Sequence, residues 1–211
     1  AGQIRAISRL ALRSAMKLGA LKPVEDVKNQ FYKLGNDTDK NGLRVMIVTS
    51  LMGGTGSGMF LQIPLYIRDV LESQYNMDRV EIQGTFILPD VMMGVVTNKE
   101  INNIYANAYA SMKELSAIIM SNAGDGSSID LEYKPNQLDS EGFLDITVKK
   151  EPYDYCYIYD KEDTKGRVLG SFNDYLRMIE DNIKGVTYYL LNTETGTLKR
   201  AKTKNILQIG I

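Results

Sequence analysis

The sequence predicts an α/β domain: a Rossmann-like parallel sheet flanked by helices. A short, apolar and β-branched segment, Leu43 to Ser50, is typical of a buried strand. It runs directly into the glycine-dense segment Gly53 to Met59, and an amphipathic stretch follows. A second apolar segment, Val80 to Leu88, completes the order strand, loop, helix, strand. This order is a βαβ unit, which implies parallel strands joined by a right-handed crossover.

The remaining elements follow from hydrophobic periodicity and helix-stop signals. The first helix repeats apolar residues with a 3.6-residue period and carries Arg5, Arg9 and Arg13 on another face. The crossover helix contains Pro64, where it can kink, and the last helix begins at Ser171, a residue type that caps helices. The predicted helices are 4–18, 24–34, 58–75, 98–120 and 171–191. Further strands are predicted within 138–149, at 153–160 and at 205–211.

The stretch Tyr153 to Asp160 alternates tyrosine with other residues, so its four tyrosines fall on one face of a strand. A row of tyrosines can stack on nucleic-acid bases. A strand packed against a helix layer explains the same pattern and is the favoured interpretation.

Composition limits the possible chemistry. The chain has 211 residues, 44% of them hydrophobic and 24% charged, which is ordinary for a globular domain. The net charge of −1 argues against broad attraction to nucleic acid or to membranes, and no apolar run is long enough to span a bilayer. Cys156 is the only cysteine, which favours a reducing, cytoplasmic setting. Histidine is absent, which removes histidine-dependent triads and histidine metal sites.

The segment Gly53-Gly54-Thr55-Gly56-Ser57-Gly58-Met59 is the main candidate site. Glycines let backbone N–H groups turn toward an anion, and a following helix start adds a positive dipole end. Thr55 and Ser57 add hydroxyl donors. A P-loop is excluded because no lysine lies between Arg44 and Lys99, and a dinucleotide fingerprint is excluded because Met59 stands where its third glycine belongs. The alternative is a tight glycine-serine turn without a ligand.

This glycine segment resembles the signature of the tubulin/FtsZ family of GTPases. Other segments resemble parts of that family in the expected order along the chain. They are Ala1-Gly2-Gln3, Ala106-Asn107-Ala108, Tyr157 to Asp160, and Gly185-Val186-Thr187.

The resemblance implies a single tubulin-like nucleotide-binding domain over residues 1–211, lacking the first strand and first glycine-rich loop of the family domain. It implies that the chain binds GTP or GDP, that Mg²⁺ can accompany the nucleotide, and that a bacterial tubulin-like protein self-associates into filaments. Gly53, Gly54, Thr55, Gly56, Ser57 and Gly58 would surround the α- and β-phosphates. Gly2 and Gln3 would meet the γ-phosphate, Asp90 and Asn107 would lie near the ribose or a metal, and Asn173 would approach the base.

Two departures from the family pattern leave other functions open. Lys161 stands where tubulin has an asparagine beside the guanine, so base preference is open. The basic segment 199–204 stands where the family has a catalytic acidic loop, and lysine and arginine do not act as general bases at neutral pH. The sequence is therefore also compatible with a scaffold that does not hydrolyse nucleotide. A third reading is an unrelated α/β protein that binds another phosphorylated ligand at the glycine segment.

Overall fold

The computed structural model describes a large part of the chain. The described residues are 4–18, 26, 42–68, 71, 79–93, 101–122, 132–133, 146–147, 151–162, 165–168, 170–191 and 207–208. The predicted helix 24–34, apart from Asp26, and the basic segment 199–204 lie outside them.

The helices and strands alternate as an α/β domain requires. The helices are α1 (Arg5–Lys17), α2 (Gly54–Met59), α3 (Gln62–Arg68), α4 (Pro89–Met92), α5 (Ile101–Asn122) and α6 (Phe172–Leu191). The strands are β1 (Gly42–Ser50), β2 (Arg79–Ile87), β3 (Glu132–Tyr133), β4 (Ile146–Thr147), β5 (Tyr155–Tyr159) and β6 (Leu207–Gln208).

The main sheet has the strand order β1-β2-β5-β6, and every neighbouring pair in it is parallel. Strands β3 and β4 form a separate antiparallel pair. The predicted parallel sheet and its βαβ unit are therefore confirmed, and so is the α/β class. None of the helices in the described part of the chain is long and apolar enough to cross a membrane.

The core lies where the helices cover the sheet. Phe86 on β2 packs edge-to-face against both Phe60 and Tyr153, with ring centroids 5.7 Å and 5.1 Å apart. Gly84 makes room for this aromatic cluster, because a Cβ there would lie 2.5 Å from the Phe86 ring and 2.9 Å from Tyr153. Of the β5 tyrosines, Tyr159 is buried while Tyr155 and Tyr157 are half-buried, so the strand packs within the sheet as the favoured interpretation predicted.

Helix α1 differs from the usual amphipathic arrangement. Its apolar residues Ile7 and Leu10 are exposed, as is Ile4 just before it, whereas Arg5 and Arg9 face the protein. The 3.6-residue period correctly predicts this helix, but charge does not mark its solvent side. Arg5 and Arg9 bind partners in α2 and α5.

Candidate functional site

The glycine segment lies at the carboxyl ends of three parallel strands. The N–H of Leu51, just after β1, donates to the carbonyl of Ile87 at 3.1 Å, and the N–H of Leu88 donates to Tyr159 at 2.9 Å. These bonds align the ends of β1, β2 and β5. In open α/β sheets, ligands bind outside the carboxyl ends of the strands.

The sequence predicts a loop through this segment and one helix from Gly58 onward, and both predictions are wrong in detail. Gly53 is the N-cap residue, and α2 begins at Gly54. A second helix, α3, begins at Gln62 after a break at 60–61. Pro64 explains the break, since it lacks an N–H and is tolerated only in the first turn of a helix, where it stands in α3.

Two of the glycines are required by packing. A Cβ on Gly56 would lie 2.2 Å from the carbonyl oxygen of Ser50 and 2.4 Å from Oγ1 of Thr49. A Cβ on Gly58 would lie 2.6 Å from the carbonyl oxygen of Arg5. Glycine at these two positions therefore lets α2 approach β1 on one side and α1 on the other.

Gly53 has no such reason to be glycine. Nothing lies within 4 Å of the position that its Cβ would take, and its φ of −84° is open to any residue. The next residues, Gly54, Thr55 and Gly56, form the first turn of α2, whose N–H groups have no intrahelical partners. The segment thus presents open space beside a set of backbone donors.

The two hydroxyls of the segment have different surroundings. Thr55 is exposed in the first turn of α2. Ser57 is fully buried, and its hydroxyl donates to the carbonyl of Gly53 at 2.5 Å. Of the two, Thr55 is the hydroxyl that solvent reaches, whereas Ser57 holds the N-cap residue in place.

The carboxyl end of α2 is held by arginines from α1. The last intrahelical bond of α2 joins the Phe60 N–H to Gly56, so the carbonyls of Ser57 and Gly58 come after it. Arg5 donates to the Ser57 carbonyl through Nε at 3.1 Å and Nη2 at 3.0 Å, and Arg9 donates to the Gly58 carbonyl at 3.3 Å. Guanidinium groups at the end of a helix also favour its dipole.

Glu114 on α5 joins the two arginines. Both of its carboxylate oxygens accept from Nη2 of Arg9 at 2.8 Å, and Oε2 also accepts from Nη2 of Arg5. Hydrogen bonds between charged groups of this kind are stronger than those between neutral groups. We call Arg5, Arg9 and Glu114 the arginine clamp. Sequence reasoning missed it, because its partners are more than a hundred residues apart along the chain.

A tyrosine side chain binds the backbone at the break between α2 and α3. The carbonyl of Phe60 would meet an N–H four residues later, but that residue is Pro64. The buried hydroxyl of Tyr153 donates to this carbonyl instead. Burial also raises the pKa of Tyr153 well above its usual value.

Asp90 lies in the first turn of α4, directly after β2. Its carboxylate accepts a hydrogen bond from the hydroxyl of Tyr105 on α5. The pKa of Tyr105 is raised, first by this hydrogen bond, then by partial burial, and then by the charges of Asp90 and Asp160. The Asp90 carboxylate, which follows the end of β2, is therefore held by the Tyr105 hydroxyl.

The two candidate asparagines are placed differently. Asn107 is buried in α5, and its side-chain amide donates to the carbonyl of Met52 at 3.1 Å, one residue before the glycine segment. Asn173 is exposed in the first turn of α6, next to the predicted cap Ser171, whose hydroxyl accepts from the Asp174 N–H at 3.3 Å. The structure thus brings Asn107 to the glycine segment and leaves Asn173 at the surface of α6.

Gly2 and Gln3 lie outside the described residues. Within the described part of the chain, no group of three or more acidic or cysteine side chains is arranged to hold a metal ion.

The sequence profile of the tubulin-like family matches residues 1–206 of the chain. No curated protein and no solved structure shows a match. The family match spans nearly the whole chain, and the parallel sheet with its glycine segment agrees with it. This chain belongs to the tubulin-like family.

Proposed function

We propose that this chain binds a guanine nucleotide, GTP or GDP, with the phosphates against the glycine segment. Backbone N–H groups of Gly54, Thr55 and Gly56 would donate to phosphate oxygens. Family membership supports nucleotide binding as the function to expect, and the position of the segment at the carboxyl ends of β1, β2 and β5 supports the location.

Gly53 is the observation that carries the proposal. The fold explains the glycines at 56 and 58 by close packing, but it does not explain Gly53, whose surroundings are open. A glycine that packing does not require is expected where a ligand approaches the backbone closely. Gly53 also precedes the first-turn N–H groups, which is where a phosphate would lie.

The neighbouring side chains fit the rest of a nucleotide. Asp90 with Tyr105 lies beyond the end of β2, and carboxylate oxygens accept hydrogen bonds from ribose hydroxyls or water around a metal. Asn107 holds the start of the segment through its hydrogen bond to the carbonyl of Met52. Asn173 remains a proposed base contact, and Gly2 and Gln3 remain proposed γ-phosphate contacts.

The substitution Gly53→Ala tests the proposal. A methyl group at this position fits the fold but occupies the space proposed for phosphate, so we expect affinity for GTP and GDP to fall about tenfold or more. Affinity for guanosine, which has no phosphate, should not change. Isothermal titration calorimetry gives the affinities, and the thermal unfolding midpoint should stay within about 3 °C of the wild type.

Two results would overturn the proposal. The first is the absence of measurable binding of GTP or GDP to the wild-type protein. The second is an affinity of Gly53→Ala equal to that of the wild type for both nucleotides. Competition by ATP or a flavin nucleotide that exceeds competition by GTP would assign the segment to another phosphorylated ligand.

We further propose self-association, on family membership alone. If the protein is an assembling GTPase, phosphate release per molecule should rise with protein concentration. If GTP binds without such release, the non-hydrolysing scaffold is supported, as the basic segment 199–204 also suggests. Light scattering with and without GTP measures assembly in the same samples.

A further inference from the structure

We propose that the arginine clamp positions the phosphate-binding segment: Arg5, Arg9 and Glu114 hold α2 by its carboxyl end and thereby set nucleotide affinity without touching the ligand. The inference rests on the proposed nucleotide binding. It assigns a function to three charged residues outside the glycine segment. They are positioning residues, not catalytic ones.

Helix α2 needs external support. It has six residues, three of which are glycine, and glycine has one of the lowest helix propensities. Helices this short do not persist in water without tertiary contacts. The orientation of the N–H groups at its start therefore depends on tertiary contacts, including those at its carboxyl end.

The clamp supplies such contacts where α2 stops. Arg5 is largely buried, with 14% of its side chain exposed, and holds the Ser57 carbonyl through two nitrogens. Arg9 holds the Gly58 carbonyl, which is the next one along. Because Gly58 also lies against the backbone of α1, the helix can neither rotate nor slide without breaking these contacts.

Glu114 gives the clamp its rigidity. It accepts from both arginines, so α1 and α2 are fixed to the long helix α5. The same helix holds Met52, at the other side of Gly53, through Asn107. The segment from Met52 to Gly58 is therefore held at both ends by groups that α5 positions.

Two variants break the clamp: Glu114→Gln, which keeps the side-chain size and removes the negative charge, and Arg5→Gln, which removes the guanidinium group and shortens the side chain. The matched control is Glu81→Gln, because Glu81 pairs with Arg44 across β1 and β2 with a similar exposure of 33%, against 34% for Glu114. The Arg44–Glu81 pair lies near the amino ends of the strands, away from the glycine segment. Loss of stability alone should affect clamp and control variants alike.

Two measurements distinguish positioning from stability. In the ligand-free protein, hydrogen exchange of the amides from Ser57 to Phe60 should become about tenfold faster in Glu114→Gln and Arg5→Gln, and stay as in the wild type in Glu81→Gln. The Kd for GDP, measured well below the unfolding temperature, should rise about tenfold in the clamp variants only.

Equal exchange rates and equal Kd values in clamp and control variants would overturn the inference. Faster exchange in α2 without any change of Kd would also overturn it, since the clamp would then be structural only. If the wild-type protein binds no nucleotide, the proposed function fails, and the exchange rates alone then decide whether the clamp orders α2.

Discussion

The hydroxyl of Tyr153 donates a hydrogen bond to the carbonyl of Phe60, ninety-three residues earlier in the chain. The bond replaces the one that the backbone cannot make, because Pro64 stands four residues after Phe60. The ring of Tyr153 also packs against Phe86. One side chain therefore fills part of the core and satisfies the backbone at the break between α2 and α3.

Replacing Tyr153 by phenylalanine removes the donor and keeps the ring. The Phe60 carbonyl would then be buried without a partner, and we expect the free energy of unfolding to fall by about 1–3 kcal/mol. Urea unfolding measures the loss. The control is Tyr157→Phe in β5. Because Tyr157 is half-buried, the free energy of unfolding should change by no more than about 0.5 kcal/mol. Equal losses in the two variants would contradict the assigned bond.

Replacing Pro64 by alanine tests the other partner. Alanine restores an N–H that can donate to the Phe60 carbonyl, so Pro64→Ala should compensate in part for Tyr153→Phe. The double variant should be more stable than the sum of the two single changes predicts, by about 0.5–1.5 kcal/mol. Strict additivity in a double-mutant cycle would show that the two residues act independently.

The glycines of the segment should differ sharply in their tolerance of a methyl group. Gly56→Ala places a Cβ against the backbone of Ser50, and we expect it to cost about 1–3 kcal/mol or to prevent folding. Gly53→Ala should cost less than about 1 kcal/mol, since its surroundings are open. Thermal unfolding followed by circular dichroism compares them. A similar loss at both positions would contradict the packing described for Gly56.

Stability should fall in alkaline solution because of Cys156. Burial is the first cause that raises the pKa of this thiol, from 9.0 to about 12, and the charges of Glu151 and Asp154 add to it. Below pH 9 the thiol is protonated in both states. Between pH 9 and 12 the unfolded chain releases a proton that the folded chain retains, so the free energy of unfolding falls as pH rises.

The full effect of Cys156 is about 4 kcal/mol at most, reached near pH 12. Urea unfolding at pH 7.5, 9 and 10.5 should show the decline, and Cys156→Ala should decline less steeply. Tyr153 adds to the decline above pH 10 and is unchanged in that variant, so some slope should remain. Parallel slopes for the wild type and Cys156→Ala would contradict the role of the thiol.

The elements with a clear hydrophobic period could be predicted from the sequence. Strands β1 and β2 and helices α1, α5 and α6 begin and end within about three residues of the prediction, because local apolar patterns determine them. Ser171 caps α6 as its residue type suggests. The glycine segment was also located correctly as the junction after β1.

The start of α2 could not be predicted from the sequence, because the low helix propensity of its glycines favours a loop. Contacts from Arg5 and Arg9 override that preference, and they come from residues about fifty positions earlier. The inward orientation of the arginines in α1 has no local signal either, since it depends on Glu114. The same is true of Asn107, whose buried bond to Met52 depends on how α5 crosses the end of β1.

The long-range support of α2 has a consequence for the order of folding. Its carboxyl end depends on α1, on Glu114 and on Tyr153, so the glycine segment reaches its final shape only after chain on both sides has folded. Contacts between distant residues form late, because closing long loops is entropically unfavourable. On the ribosome, the segment would stay incomplete until Tyr153 has emerged. A nascent chain that ends before Tyr153 would therefore contain every glycine of the segment without the geometry that the segment has in the folded protein.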